Sequence, residues 1–238
     1  LVTLQQPSQL LLAQVPGLAP CTAVPADVLR LASPDSIFVT FEGVLIHYRY
    51  SVPPAHKAYF QATDAQARAA LPTPPPALMM MHGFGSGAFE QLTARVGDAC
   101  AACLSFDRPG FGLSARLNEA QVLARERAQT LAQRDRQRLE QERQRASERL
   151  GQGVLANVYS EDRALSNEYP DVNPYRCDFS VRLAYALTRR HGLDATGVVL
   201  LGHHSGAGVA CRAAVADARL RDVLAAAGQV RRPVVRGL

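Results

Sequence analysis

The sequence contains no tryptophan, a single lysine (Lys57) and no apolar run close to the roughly 18 residues that a membrane-spanning helix requires. A transmembrane span is therefore not expected. Its five cysteines, Cys21, Cys100, Cys103, Cys177 and Cys211, are an odd number without framework spacing. That argues against a disulfide scaffold and points to a reducing compartment, cytoplasmic or plastid. Cys100 and Cys103 form one C-x-x-C motif, with neither a second pair nor histidines at ligand spacing to complete a zinc site. They also lie in an apolar run that reads as a strand, whereas a redox pair should open a helix, so buried thiols are expected. No metal and no cofactor is expected from any other motif.

With lysine nearly absent, the 26 basic residues are almost all arginine, a bias that reads as codon composition, and the net charge of +5 is spread out. It is −1 over residues 1–115, +3 over 116–150, −1 over 151–211 and +4 over 212–238. The 116–150 stretch mixes nine Arg with six acids and has no aromatic residue. A nucleic-acid surface concentrates positive charge and interleaves aromatics with it, so no nucleic-acid partner is expected.

What is present suits a globular chain. At 238 residues and 47% apolar, there is material for one large domain or two small ones with a real core. Residues 1–35 hold five prolines and no sustained period, and read as an irregular lead-in. Ile37–Phe41 and Val44–Tyr50 alternate around Glu42-Gly43, the pattern of an antiparallel hairpin. His47 falls on its more polar face and is expected at the surface. Residues 53–76, rich in Pro and Ala, form a stiff connector, in which His56 carries no signal.

Three apolar runs are then each closed by a glycine-rich turn. Ala77–Met81 ends in His82-Gly83-Phe84-Gly85-Ser86-Gly87, with a helix expected at about 88–97. Cys100–Phe106 ends in Asp107-Arg108-Pro109-Gly110-Phe111-Gly112. Gly197–Leu201 ends in Gly202-His203-His204-Ser205-Gly206-Ala207-Gly208, followed by an Ala-rich helix to about Ala218. Strand, glycine turn and helix in repetition is the grammar of a parallel α/β sheet, with chemistry at the strand C-termini.

Between the second and third runs, residues 118–150 contain no Gly or Pro and predict one long charged helix. Asn118 and Gln121 make a capping pair at its start, and Gly151 is placed to end it. Its apolar stripe is narrow, as in a solvated surface helix or partly disordered insertion; a docking arm that contacts another protein is the alternative. A further helix is expected from Asn173-Pro174 to Gly192, turning Phe179, Leu183 and Leu187 inward. His191 at its end is read as a cation suited to the helix dipole.

These motifs in this order, from Leu31-Ala32-Ser33-Pro34-Asp35-Ser36 through the hairpin, His82-Gly83-Phe84-Gly85, Phe106–Gly112, Asn173-Pro174-Tyr175 and Leu201-Gly202-His203, resemble the α/β-hydrolase fold. Within it they are most similar to a group common in plants and green algae. The resemblance covers residues 31–112 and 173–238. It implies a partial domain over 36–238, mostly parallel in its sheet, with the charged helical segment inserted at about 115–172. It further implies a hydrolase acting on a small-molecule carboxylic ester or related acyl compound, through a serine nucleophile and an oxyanion hole.

The residues carry that implication unevenly. The backbone N–H of Phe84, beside Gly83, would be one oxyanion donor. The elbow departs from Gly-x-Ser-x-Gly: without a gap, His204 occupies the nucleophile position between Gly202 and Gly206, while a slip of one residue puts Ser205 there. In the second register the N–H of Gly206 joins the oxyanion hole. In the first, the fold serves binding without catalysis. His82 is expected to hold the oxyanion loop, and Asp107 to brace its own turn. Only 33 residues follow Ser205; they include Asp217 and Asp222, both expected in solvent, but no histidine, so the acid and base would lie beyond residue 238. Val234–Leu238 resembles the opening of the family's next core strand. The chain is accordingly expected to be the N-terminal part of a larger hydrolase, inactive and poorly stable by itself.

Overall fold

A computed structural model describes residues 15–62, 65–83, 99–149, 172–226 and 234–237. Its seven described strands form one mixed sheet: β1 (Leu18–Pro20), β2 (Ile37–Phe41), β3 (Val44–Ser51), β4 (Ala77–Met81), β5 (Cys103–Phe106), β6 (Val198–Gly202) and β7 (Val235–Gly237). They lie in the order β1-β2-β3-β5-β4-β6-β7. The ladders from β1 to β5 are antiparallel, and those joining β5, β4, β6 and β7 are parallel. In chain order the helices are α1 (Ala26–Leu31), α2 (Lys57–Gln61), α3 (Ala65–Ala69), α4 (Glu119–Arg149), α5 (Cys177–Arg190) and α6 (Ser205–Ala226). The expected helix at 88–97 lies outside the described residues.

Local chemistry explains most boundaries. The β2–β3 hairpin turns at Glu42 and Gly43, both at positive φ (48° and 76°), as a two-residue turn requires if its twist is to match the strands. The α4 capping pair forms reciprocally: Gln121 N–H donates to Asn118 Oδ1 and Asn118 N–H to Gln121 Oε1, both at 2.9 Å. The 31-residue helix is about 46 Å long at 1.5 Å per residue. Its first turns are fastened to the body, where Arg125 Nη1 donates to the Glu42 carbonyl at 2.7 Å and Asn173 Nδ2 to Glu126 Oε1 at 3.0 Å.

Three expectations are corrected at element ends. Residues 18–20 of the lead-in form an edge strand, paired with Val39–Phe41. The helix expected at Asn173 starts at Cys177, because Asn173–Arg176 are held as a turn: Asn173 Oδ1 accepts the Tyr175 N–H, and the Tyr175 hydroxyl is fixed to Leu117 N and O at 2.6 and 2.7 Å. The helix after β6 runs on to Ala226 rather than Ala218.

The core lies where α5 and α6 cover the sheet. Phe179, Leu183 and Leu187 of α5 are fully buried with Ile46, Met79, Leu104 and Phe106 of the sheet and Val209 and Leu220 of α6. Each such side chain contributes about 2 kcal/mol on burial. Phe41 meets Phe179 edge to face at 5.2 Å.

Candidate functional site

The strand order reverses at β4: β5 lies on one side of it and β6 on the other. At such a switch point the loops leaving neighbouring strands diverge, and a crevice opens at the strand C-termini. Register brings three turns together there, since Met81 is paired with both Phe106 and Gly202. His82-Gly83, Asp107-Arg108 and His203-His204-Ser205 therefore emerge side by side.

The β6–α6 turn is tight. His203 N–H donates to the Met81 carbonyl at 3.0 Å, which aligns the turn on β4. A Cβ on Gly206 would collide with the backbone of Met81 and His82, and one on Gly202 with the backbone of Ala207. Only glycine fits at either position. Midway between them stands His204 at φ +52°, in the left-handed region that non-glycine residues seldom enter. The turn thus holds His204 in a strained backbone conformation between β6 and α6. Its neighbours Gly83 and His203 close the turn from the β4 side: a Cβ on Gly83 would lie 2.9 Å from His203 Nδ1 and from His204 Cβ.

Ser205 is the first residue of α6 and is exposed. Its Oγ accepts a hydrogen bond from Arg108 Nη2 at 2.8 Å. Among the described residues no base is bonded to that hydroxyl. The Gly206 N–H, the oxyanion donor of the Ser205 register, is instead donated to the His203 carbonyl at 2.9 Å. The Ser205 N–H is the first of its helix and has no acceptor within it. Phe84 lies outside the described residues.

His82 is completely buried. Its Nε2 accepts the Arg108 backbone N–H at 2.9 Å, so its Nδ1 carries the proton and donates to the Gly83 carbonyl at 2.7 Å. Burial, more than the charge of Arg108, lowers its pKa and keeps it neutral. With both ring nitrogens occupied, it ties the β4 loop to the β5 loop and has no lone pair to offer a substrate.

Asp107 accepts the Leu113 N–H at 2.9 Å, bracing its turn. It also binds a residue that the sequence placed elsewhere. His47 is buried, with Nδ1 2.7 Å from Asp107 Oδ2 and Nε2 2.9 Å from Ser36 Oγ. Alternation along β3 put His47 in solvent, but the loop after β5 folds over that face: Asp107 N–H donates to the His47 carbonyl, and Ser114 Oγ accepts the His47 N–H. A polar face is thus buried against polar partners. Burial would raise the Asp107 pKa, yet the hydrogen bond and charge of His47, with the Leu113 N–H, hold it below the usual carboxylate range.

Two more residues differ from their sequence readings. His191 is not a solvated cation; it stacks on Tyr50 with ring centroids 3.9 Å apart, lies 3.1 Å from the Tyr48 hydroxyl, and burial takes its pKa down to about 3. Asp217 is buried and accepts the N–H groups of Val234 and Val235, fixing β7 beside β6. That contact spans 17 and 18 residues, so no local signal announces it. Asp222 is exposed.

Among the described residues, no group of three His, Cys, Asp or Glu side chains is placed to hold a metal, and no helix is long and apolar enough to cross a membrane. No family model and no curated protein matches the chain. Among solved structures it is similar to acetyl xylan esterase 1 from Thermoanaerobacterium sp. JW/SL YS485, at 14% identity and a TM-score of 0.40, over 88% of this chain. The chain spans about half (51%) of the length of that structure. A likeness this distant assigns no residue its role.

Proposed function

We propose that this hydrolase-like α/β protein binds a carboxylic ester or related small acyl compound in the crevice above β4, β5 and β6, and that it forms no acyl-enzyme through Ser205. The observation that carries the reading is the elbow: the positive φ of His204, midway between two glycines that admit no Cβ, favours an imidazole in the nucleophile's place. In that register the Ser205 N–H is the oxyanion donor supplied by the elbow, and the Ser205 hydroxyl fixes Arg108 at the rim. A serine nucleophile needs a base to take its proton, whereas the group bonded to Ser205 Oγ is a guanidinium, which only donates.

The second reading is a serine esterase. It draws on the exposure of Ser205 at the start of a 22-residue helix, where the helix dipole and Arg108 both favour an alkoxide. Hydrolysis of a p-nitrophenyl ester separates the two. The binding reading predicts no turnover that Ser205→Ala removes; turnover lost in that variant establishes the esterase.

A further inference from the structure

The end of the sheet opposite the crevice carries a second chemically distinctive pair. Cys100 and Cys103 approach to 3.2 Å between their sulfurs at the entry to β5, beside Met80 and Leu78. That is about 1.2 Å longer than a disulfide bond. Among the described residues no third ligand joins them to make a metal site. Both were expected as buried thiols, and both are buried, but not equally: Cys103 is sealed, while Cys100 retains 8% exposure.

The intervening backbone is already anchored. Ala101 N–H donates to the Pro76 carbonyl at 3.3 Å, and the Ala102 carbonyl accepts the Leu78 N–H at 2.8 Å. Neither alanine has a side chain to reorganise, so closing the gap takes rotation of two cysteine side chains rather than movement of the strand.

We propose that Cys100 and Cys103 are a redox-responsive dithiol that a low-molecular-weight disulfide such as glutathione disulfide converts to an intrachain disulfide. The Cys100 thiolate attacks one sulfur of the glutathione disulfide and expels a glutathione thiolate. The Cys103 sulfur then attacks Cys100 Sγ and expels the second glutathione, its proton passing to that departing thiolate. Two protein thiols are oxidised, and one disulfide is reduced to two glutathione thiols. The order follows from the surroundings: burial, with Cys100 alongside, pushes the Cys103 thiol up to about 12, so it is the poorer first nucleophile.

The test uses the full chain. The folded protein is incubated with glutathione disulfide, then denatured, capped with iodoacetamide and digested with trypsin; the peptide 96–116 contains Cys100 and Cys103 and no other cysteine. The expected product is that peptide uncapped and lighter by the two hydrogens lost, returning to the doubly capped form after reduction. Cys103→Ala should stop the reaction at a glutathione adduct on Cys100. A wild-type peptide that stays doubly capped, or that halts at the Cys100 adduct, overturns the proposal.

Discussion

Two clusters that contain serine and histidine lie near one another in this protein. Ser36, His47 and Asp107 have the hydrogen-bond order of a catalytic triad, at 2.9 and 2.7 Å, yet all three are buried and Ser36 Oγ also accepts the Ser33 N–H at 3.1 Å. His203, His204 and Ser205 are exposed at the C-terminal end of β6, on a strained turn, with no triad order among them. The buried cluster has partners without access, and the exposed one has access without a base on its serine. Hydrogen-bond order therefore does not by itself mark a site that a substrate can reach; exposure must accompany it.

The contrast is tested most forcefully by removing one histidine from the buried cluster. His47→Leu leaves the Asp107 carboxylate and the Ser36 hydroxyl buried without their partner, and is expected to lower stability by about 3 kcal/mol. In the same urea titrations Ser205→Ala, at an exposed position, should change it by no more than about 0.5 kcal/mol. Equal effects from the two variants would erase the distinction.

Acidity probes the buried histidines next. His191 is neutral in the fold with a pKa of about 3, whereas an unfolded histidine titrates near 6.5. Below pH 6.5 the unfolded chain takes up a proton that the folded chain refuses, so His191 removes stability progressively as pH falls from about 6.5 toward 3. Each such proton is worth about 1.4 kcal/mol per pH unit within that window. His191→Gln should flatten the stability–pH slope between pH 6 and 4 by about one proton; an unchanged slope would mean that the ring is solvated. Asp107 acts at lower pH. Its folded pKa is depressed, so its contribution is full above the unfolded value near 3.9 and is lost as pH falls below it.

The smallest expected change has the opposite sign. His204→Gly removes a side chain from a left-handed backbone position and is expected to raise stability by about 0.5–1 kcal/mol, read as an increase in the denaturation midpoint. A loss of stability would mean that His204 packs more than it strains.

The sequence exposes this architecture where the determinants are local. Apolar runs closed by glycine turns mark β4, β5 and β6, and Asn118 with Gln121 marks the start of α4, because each signal lies within a few residues of the boundary it sets. The spacing of Gly202 and Gly206 likewise points to His204, although only the backbone angle distinguishes it from Ser205. What stays hidden depends on chain segments meeting from afar. His47 is buried by a loop 60 residues on, Asp217 by a strand 17 residues on, and the start of α5 is displaced by a tyrosine bonded to Leu117. Alternation along one strand cannot foresee what will cover its second face.

The central claim is that His204, not Ser205, occupies the reactive position. Its most direct test is exposure of the folded chain to a fluorophosphonate probe, followed by mass mapping of the serine-bearing peptides. The account predicts no adduct at Ser205. A stoichiometric adduct there, absent from Ser205→Ala, would contradict it.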